Sequence, residues 1–125
     1  MIKEISDLKS IELFSAHIII NNFSKTYGYY IDNNLVGFIN FSIIYDRAEL
    51  NYIFTNEHFR NKKIATNLIN KMLSECMNLK NITLEVSIDN TKALNLYNKF
   101  GFIIVTKRDK YYNGKDAYLM MKEVN

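Results

Sequence analysis

The sequence predicts a mixed α/β (α+β) domain, a largely antiparallel sheet with helices on both faces, and three observations predict it. Up to about residue 54 apolar and polar residues alternate between short turn signals, the pattern of antiparallel strands. From residue 64 the apolar spacing changes to three and four, the pattern of an amphipathic helix. A strand, a short helix and a closing hairpin follow, so a helix crosses between two strands in mid-chain.

The elements follow in order. Residues 2–5 read as a short first strand. Ser6 precedes Leu8, Ile11, Phe14 and Ile18, which have helical spacing, although residues 17–20 could equally extend a strand. Residues 27–31 and 35–44 flank Asp32-Asn33-Asn34, a hairpin signal, and a second turn at 45–47 leads to a strand over 49–54. Ile64, Leu68, Ile69, Met72, Leu73 and Cys76 form one apolar stripe on a long helix. Residues 81–86 are a strand with Ile82, Leu84 and Val86 on one face. Asn90 caps a short helix carrying Ala93, Leu94, Tyr97 and Phe100, which ends at Gly101. A strand begins at 103–106, Asn113-Gly114 is a type I′ turn, and 117–121 is the last strand.

Residues 1–125 form a single domain: the length suffices for one core without a disulfide or metal staple, and no linker, repeat or charge block divides it. Hydrophobic residues at 48% and charged residues at 23% exclude a disordered or low-complexity architecture. The one cysteine, Cys76, cannot close an intramolecular disulfide and sits on the helix stripe, which fits a core residue in a reducing cytoplasm. His17 and His58 lie apart and form no metal cluster, and His17 among isoleucines reads as structural. No apolar run approaches a membrane span and the first six residues lack the pattern of a signal peptide, so no membrane partner is expected. A net charge of +3 favours an anionic ligand and is too small to indicate nucleic acid.

Three places could carry chemistry. Arg60, Lys62 and Lys63 crowd the start of the long helix, where cations oppose the helix dipole; a bound anion would relieve them, and a solvated basic turn is the plain alternative. Glu85 stands in a strand whose neighbours face the core, although a lone strand carboxylate is ordinarily the solvent-facing member of an alternating pattern. Tyr97 lies on the apolar face of the short helix, where tyrosine is ordinarily a core residue with its hydroxyl reaching water. Tyr111 and Tyr112 could line a groove or pack as cross-strand aromatics.

The spacing of these residues resembles a known family. Arg60-Asn61-Lys62-Lys63-Ile64-Ala65 follows a phosphate-loop pattern of Arg or Gln, two residues, Gly, one residue, and Gly or Ala. Leu84-Glu85-Val86, Asn90, Ala93, Leu96-Tyr97 and Lys99-Phe100-Gly101-Phe102 follow its most diagnostic stretch without a gap, and residues 111–120 are similar to a closing hairpin. Over residues 53–121 the chain resembles the GNAT superfamily of acyl-CoA N-acyltransferases, and within it the bacterial N-terminal acetyltransferases that modify ribosomal protein S18.

The resemblance implies an acetyl-CoA-dependent enzyme and a role for each residue. Ile53, Phe54 and Thr55 would offer backbone groups to the pantetheine arm and thioester carbonyl. Asn61, Lys62, Lys63, Ile64, Ala65 and Thr66 would cradle the pyrophosphate, and Asn90 would contact the cofactor near its pantetheine end. Glu85 would be the general base and Tyr97 the general acid. Attack of an amine on a thioester needs a proton acceptor, an oxyanion donor and a proton source for sulfur, and this set supplies one of each. An α-amine of pKa near 7.7–8.0 costs about 1 kcal/mol to deprotonate at pH 7 and a lysine roughly 4–5, so a protein N-terminus suits a single carboxylate better. Two departures stand out. Lys63 replaces the first loop glycine, so it either crowds the loop or adds a phosphate contact. The segment between the first two strands is much shortened, which opens the acceptor side. A small amine such as a polyamine or aminoglycoside, and a non-catalytic acyl-CoA-binding domain, are the alternatives. A monomer or weak dimer is expected.

Overall fold

The computed structural model describes residues 1–5, 7–59, 63–112 and 114–125, with 111 and 112 described by backbone alone. Seven strands form one sheet: β1 (Ile2–Glu4), β2 (Ser24–Ile31), β3 (Asn34–Ile44), β4 (Arg47–Thr55), β5 (Asn81–Ser87), β6 (Ile103–Tyr112) and β7 (Lys115–Glu123). Helix α1 (Ile64–Glu75) joins β4 to β5, and α2 (Thr91–Lys99) follows β5. The sheet order is β1-β2-β3-β4-β5-β7-β6, antiparallel throughout except for the β4–β5 pair. That exception follows from connectivity, because strands joined through a crossover helix run the same way.

Local chemistry sets the boundaries. Asp32 and Asn33, at φ 50° and 66°, make the two-residue turn between β2 and β3, a geometry that Asn and Asp tolerate. Gly101, at φ 91°, ends α2 and lets Phe102 N–H return to Tyr97 O at 3.1 Å. The predicted turn residue Asn113 lies outside the described residues.

The apolar stripe of α1 buries Ile64, Leu68, Ile69 and Met72 against Ile39 and Phe41 of β3, Leu50 of β4 and Ile82, Leu84 and Val86 of β5. Full burial of each such side chain contributes about 1.5–3 kcal/mol. Cys76 is fully buried in the same core, and burial pushes its thiol up to about 11, which leaves it chemically inert. Helix α2 adds Ala93, Leu94 and Tyr97 to this core.

The opposite face of the sheet is closed differently from the helix that residues 8–18 suggest. Only Leu8–Ser10 forms a 3-10 turn, and Ile5, Leu8, Ile11 and Ile18 pack on Phe38, Tyr52 and Phe54. Phe14 meets Phe38 and Phe54 edge-on at 5.2 and 4.9 Å between ring centroids. Residues 17–20 are not a strand. Their backbone is held by a side chain instead: Asn40 Nδ2 donates to Ile19 O, and Ile19 N–H donates to Asn40 Oδ1, both at 2.9 Å. His17 is partly buried beside this segment. Among the described residues no helix is long and apolar enough to cross a membrane.

Candidate active site

The site begins with a register slip. Asn40 pairs with Tyr52 and Phe41 with Leu50, so Asn51 is an extra residue in β4. Such a bulge bends and twists the strand that carries it. The parallel pairing of β4 with β5 runs from Arg47↔Asn81 to Leu50↔Leu84 and stops there. Beyond Leu50 the strands part and leave a cleft of about 700 Å³ between β4, β5, the start of α1 and α2.

Nine of the sequence-predicted site residues line this cleft: Ile53 and Thr55 on β4, Lys63, Ile64, Ala65 and Thr66 at the start of α1, Glu85 on β5, and Asn90 and Tyr97 at α2. Asn61 and Lys62, with Arg60, lie outside the described residues. Phe54 does not line the cleft; its side chain points into the opposite core against Phe14 and Phe38. Its backbone is turned away as well. Asn56 N–H donates to Val36 O at 2.8 Å, which places Gly37↔Thr55 and Ile39↔Ile53 at the positions of the ladder that are not hydrogen-bonded to β3. Ile53 and Thr55 therefore direct their N–H and C=O groups toward the cleft, and Phe54 directs its own toward β3.

Lys63 is the residue before α1, and at φ 58° and ψ 30° it takes up the left-handed conformation that glycine favours. The loop thus keeps a glycine-like path without glycine, at a cost of about 1–2 kcal/mol. The Lys63 side chain does not cap this end, and no acidic residue stands in the first turn. Asn67 N–H donates to Lys63 O at 3.0 Å, so the amides of Ile64, Ala65 and Thr66 precede the first intrahelical bond and suit an anionic group. Lys92 and Lys99 of α2 line the same cleft and add positive charge to it. Their spacing of seven, with Asn95 and Leu96 between them, was the available sequence signal that they share a helix face.

Asn90 caps α2 as the sequence predicts, with Oδ1 accepting from Ala93 N–H at 3.1 Å. The cap fixes the side chain and orients its amide. Tyr97 is 7% exposed, with its ring tilted against Phe102 at 5.9 Å. Glu85 is the most unusual group. Its side chain is 13% exposed, Oε1 lies 3.2 Å from Arg108 Nε, and Oε2 is buried with no hydrogen-bond partner among the described residues. Burial raises its pKa above the ordinary carboxylate value; the Arg108 guanidinium pulls it down and Glu49 pushes it up. A carboxylate with a raised pKa is a stronger proton acceptor than an ordinary one. Sequence reasoning missed Arg108 and Glu49, because they reach Glu85 through strand register that no local pattern reveals.

Comparison with known proteins identifies the family and the fold. The acetyltransferase (GNAT) family model matches residues 3–102. The chain is 30% identical over 98 residues to a Bacillus subtilis protein that carries the name of a [ribosomal protein bS18]-alanine N-acetyltransferase, covering 75% of this chain and 65% of that protein. It is 34% identical over 98 residues to a spermidine N(1)-acetyltransferase of Vibrio cholerae, covering 74% of this chain and 56% of that protein. The chain therefore spans less than two thirds of the length of either relative. In structure it superposes on the ribosomal-protein-S18-alanine N-acetyltransferase of Escherichia coli with a TM-score of 0.87 at 19% identity, covering 100% of this chain and 94% of that one, a likeness of fold. The chain belongs to the acetyltransferase (GNAT) family.

Proposed function

We propose that the protein transfers an acetyl group from acetyl-CoA to a primary amine, with the N-terminal α-amine of a protein, such as a ribosomal protein, as the acceptor. The observation that supports this most is that one cleft gathers the outward edge of β4, the first amides of α1, Glu85 and Tyr97. In this reading the amides of residues 64–66 and the side chains of Lys63, Lys92 and Lys99 hold the diphosphate, and Asn61 and Lys62, which the family's loop pattern implies, contribute to holding it. Ile53 and Thr55 hold the pantetheine arm and receive the thioester carbonyl, and Asn90 meets the arm through its amide nitrogen.

The amine attacks the thioester carbonyl carbon, so a C–N bond forms and the C–S bond breaks. Charge developing on the carbonyl oxygen meets a β4 backbone N–H. The amine proton goes to Glu85, directly or through one water, and the departing sulfur takes a proton from Tyr97. The products are an N-acetyl amide and CoA. An α-amine costs about 1 kcal/mol to deprotonate at pH 7 and a lysine roughly 4–5, which favours the N-terminus, as does the Bacillus relative's name. A small polyamine is the second reading, supported by the second carboxylate, Glu49, acting on Glu85 and by the Vibrio relative. A binding domain without turnover has less support, because Lys63 preserves the glycine-like path of the loop. The reaction takes place in the cytoplasm.

Mixing the protein and acetyl-CoA with peptides beginning Ala, Ser or Met, beside spermidine and an aminoglycoside, and measuring released CoA tests the proposal. Release with a peptide, falling at least about tenfold in Glu85→Gln and Tyr97→Phe, is the expected result. Faster release with a small amine would replace the acceptor, and no release with any amine would end the proposal.

A further inference from the structure

Arg108 reaches Glu85 from two strands away. On β7, Ala117 pairs with Ser87 of β5 on one side and with Arg108 of β6 on the other, while Leu119 pairs with Glu85 and with Thr106. Directly paired residues share a sheet face, so Arg108, Ala117, Ser87, Glu85, Leu119 and Thr106 stand on one face. The contact between Arg108 and Glu85 is a diagonal that passes over Ala117. A side chain of one carbon leaves the guanidinium room to cross, and Ala117 is fully buried.

The far end of this reach is braced. Between Arg108 and Tyr112 the register of β6 shifts, and Lys110 stands at φ 51°. Asp116, next to Ala117, holds the irregular stretch from both sides: its Oδ1 accepts from Lys110 N–H at 2.9 Å and its Oδ2 lies 3.3 Å from Lys107 Nζ. The Lys110 backbone on one side of Arg108 and the Lys107 side chain on the other are thus tied to Asp116 of β7.

At the near end the two oxygens of Glu85 differ. Oε1 takes the Arg108 contact at 3.2 Å, and Oε2 is buried with no partner among the described residues. A buried carboxylate oxygen without a donor is unfavourable until an N–H or O–H meets it. We infer that Arg108 is a positioning residue for acetyl transfer: by holding Oε1 of Glu85 from two strands away, it fixes the orientation of the carboxylate that receives the acceptor amine's proton. The inference rests on the proposed acetyl transfer. Arg108 does not line the acetyl-CoA cleft, so its effect falls on proton transfer and not on cofactor affinity.

The charges facing Glu85 give this a sign. Glu49 on β4 raises the Glu85 pKa and Arg108 on β6 lowers it. Strand β7 presents the uncharged Ala117 and Leu119, and α2 presents Tyr97, Lys92 and Lys99 along the shared cleft. A base works only when deprotonated, so activity falls as pH drops through its pKa. Losing the arginine moves that acid limb to higher pH.

The test compares wild type, Arg108→Gln and Arg108→Lys in the full chain. It follows the pH profile of kcat/KM with an Ala-peptide and acetyl-CoA, together with ¹³C titration of the glutamate carboxyls, with Glu85 identified by its loss in Glu85→Gln. The expected result for Arg108→Gln is an acid limb and a Glu85 titration both raised by about one pH unit. At a pH below the limb kcat/KM is then about tenfold lower, while KM for acetyl-CoA is unchanged. In Arg108→Lys the shift is partly reversed. An acid limb that does not move in a folded Arg108→Gln overturns the inference alone. A wild-type chain that acetylates no amine overturns the proposed function and this inference with it.

Discussion

Gly37 of β3 lies against Ile64, the first residue of α1, so closely that a Cβ on the glycine would stand 2.9 Å from Ile64 Cγ2 and 2.8 Å from Phe54 O. The start of α1, with the amides proposed to hold a diphosphate, is seated on bare backbone. Phe54 O is itself part of β4, so neither neighbour is the free end of a flexible side chain. Gly37→Ala should destabilise the fold by about 1–3 kcal/mol, the usual effect of forcing extra volume into a packed site. It should also weaken CoA binding by moving the helix start. Urea unfolding and calorimetric titration with CoA check the two effects.

Lys63 separates conformation from charge. Its φ of 58° suits glycine and opposes β-branched residues. Lys63→Gly should leave stability unchanged or raise it by up to about 1 kcal/mol, whereas Lys63→Val should lower it. Both should bind CoA less tightly than wild type, since both remove a cation that lines the cleft. Melting temperature and CoA affinity, measured on both variants, report the two contributions independently.

Asn40 is fully buried, and its amide stands in for a neighbouring strand. It bonds Ile19 at both N–H and C=O, donates to Thr26 Oγ1 at 2.9 Å and accepts from Asn51 Nδ2 at 3.1 Å. Asn40→Ala would strand several of these partners, and a loss of about 2–3 kcal/mol is expected in urea unfolding. Amide exchange should quicken at Ile19, because its N–H donates to the Asn40 side chain.

This network also explains where sequence reasoning succeeded and where it did not. The α1 stripe was legible because Ile64, Leu68, Ile69 and Met72 declare their burial by local spacing, and the turn at Asp32-Asn33 because two adjacent left-handed residues need that chemistry. Leu8, Ile11, Phe14 and Ile18 have helical spacing too, yet their positions are decided by Phe38, Phe54 and Asn40, residues distant in the chain. Tertiary contacts override a short periodic signal of this kind. At the site, Asn90 was legible as a cap, while Glu85 and Tyr97 stood out only through the family's spacing. Arg108 was not legible, because its approach to Glu85 depends on two register shifts in β6 that no local pattern encodes.

Glu75 links the end of α1 to β2, accepting from Tyr27 OH at 2.6 Å and from Lys25 Nζ at 3.0 Å. The Tyr27 bond, then the Lys25 bond, hold its carboxyl below the ordinary value of 4.5. A group whose folded pKa is depressed contributes stability above its unfolded pKa and loses it as pH falls through the folded one. The stability difference between wild type and Glu75→Gln should therefore be constant above about pH 5 and shrink below about pH 4.5. Urea midpoints for both proteins at pH 7 and pH 3.5 check this.

The claim on which the account turns is that the cleft opened by the Asn51 bulge receives acetyl-CoA with its diphosphate on the first amides of α1. Backbone NMR during titration with CoA reads this directly. The largest amide shifts are expected on Ile64, Ala65 and Thr66, with smaller ones on Ile53 and Thr55. Shifts confined to other parts of the chain, or none at saturating CoA, would contradict it.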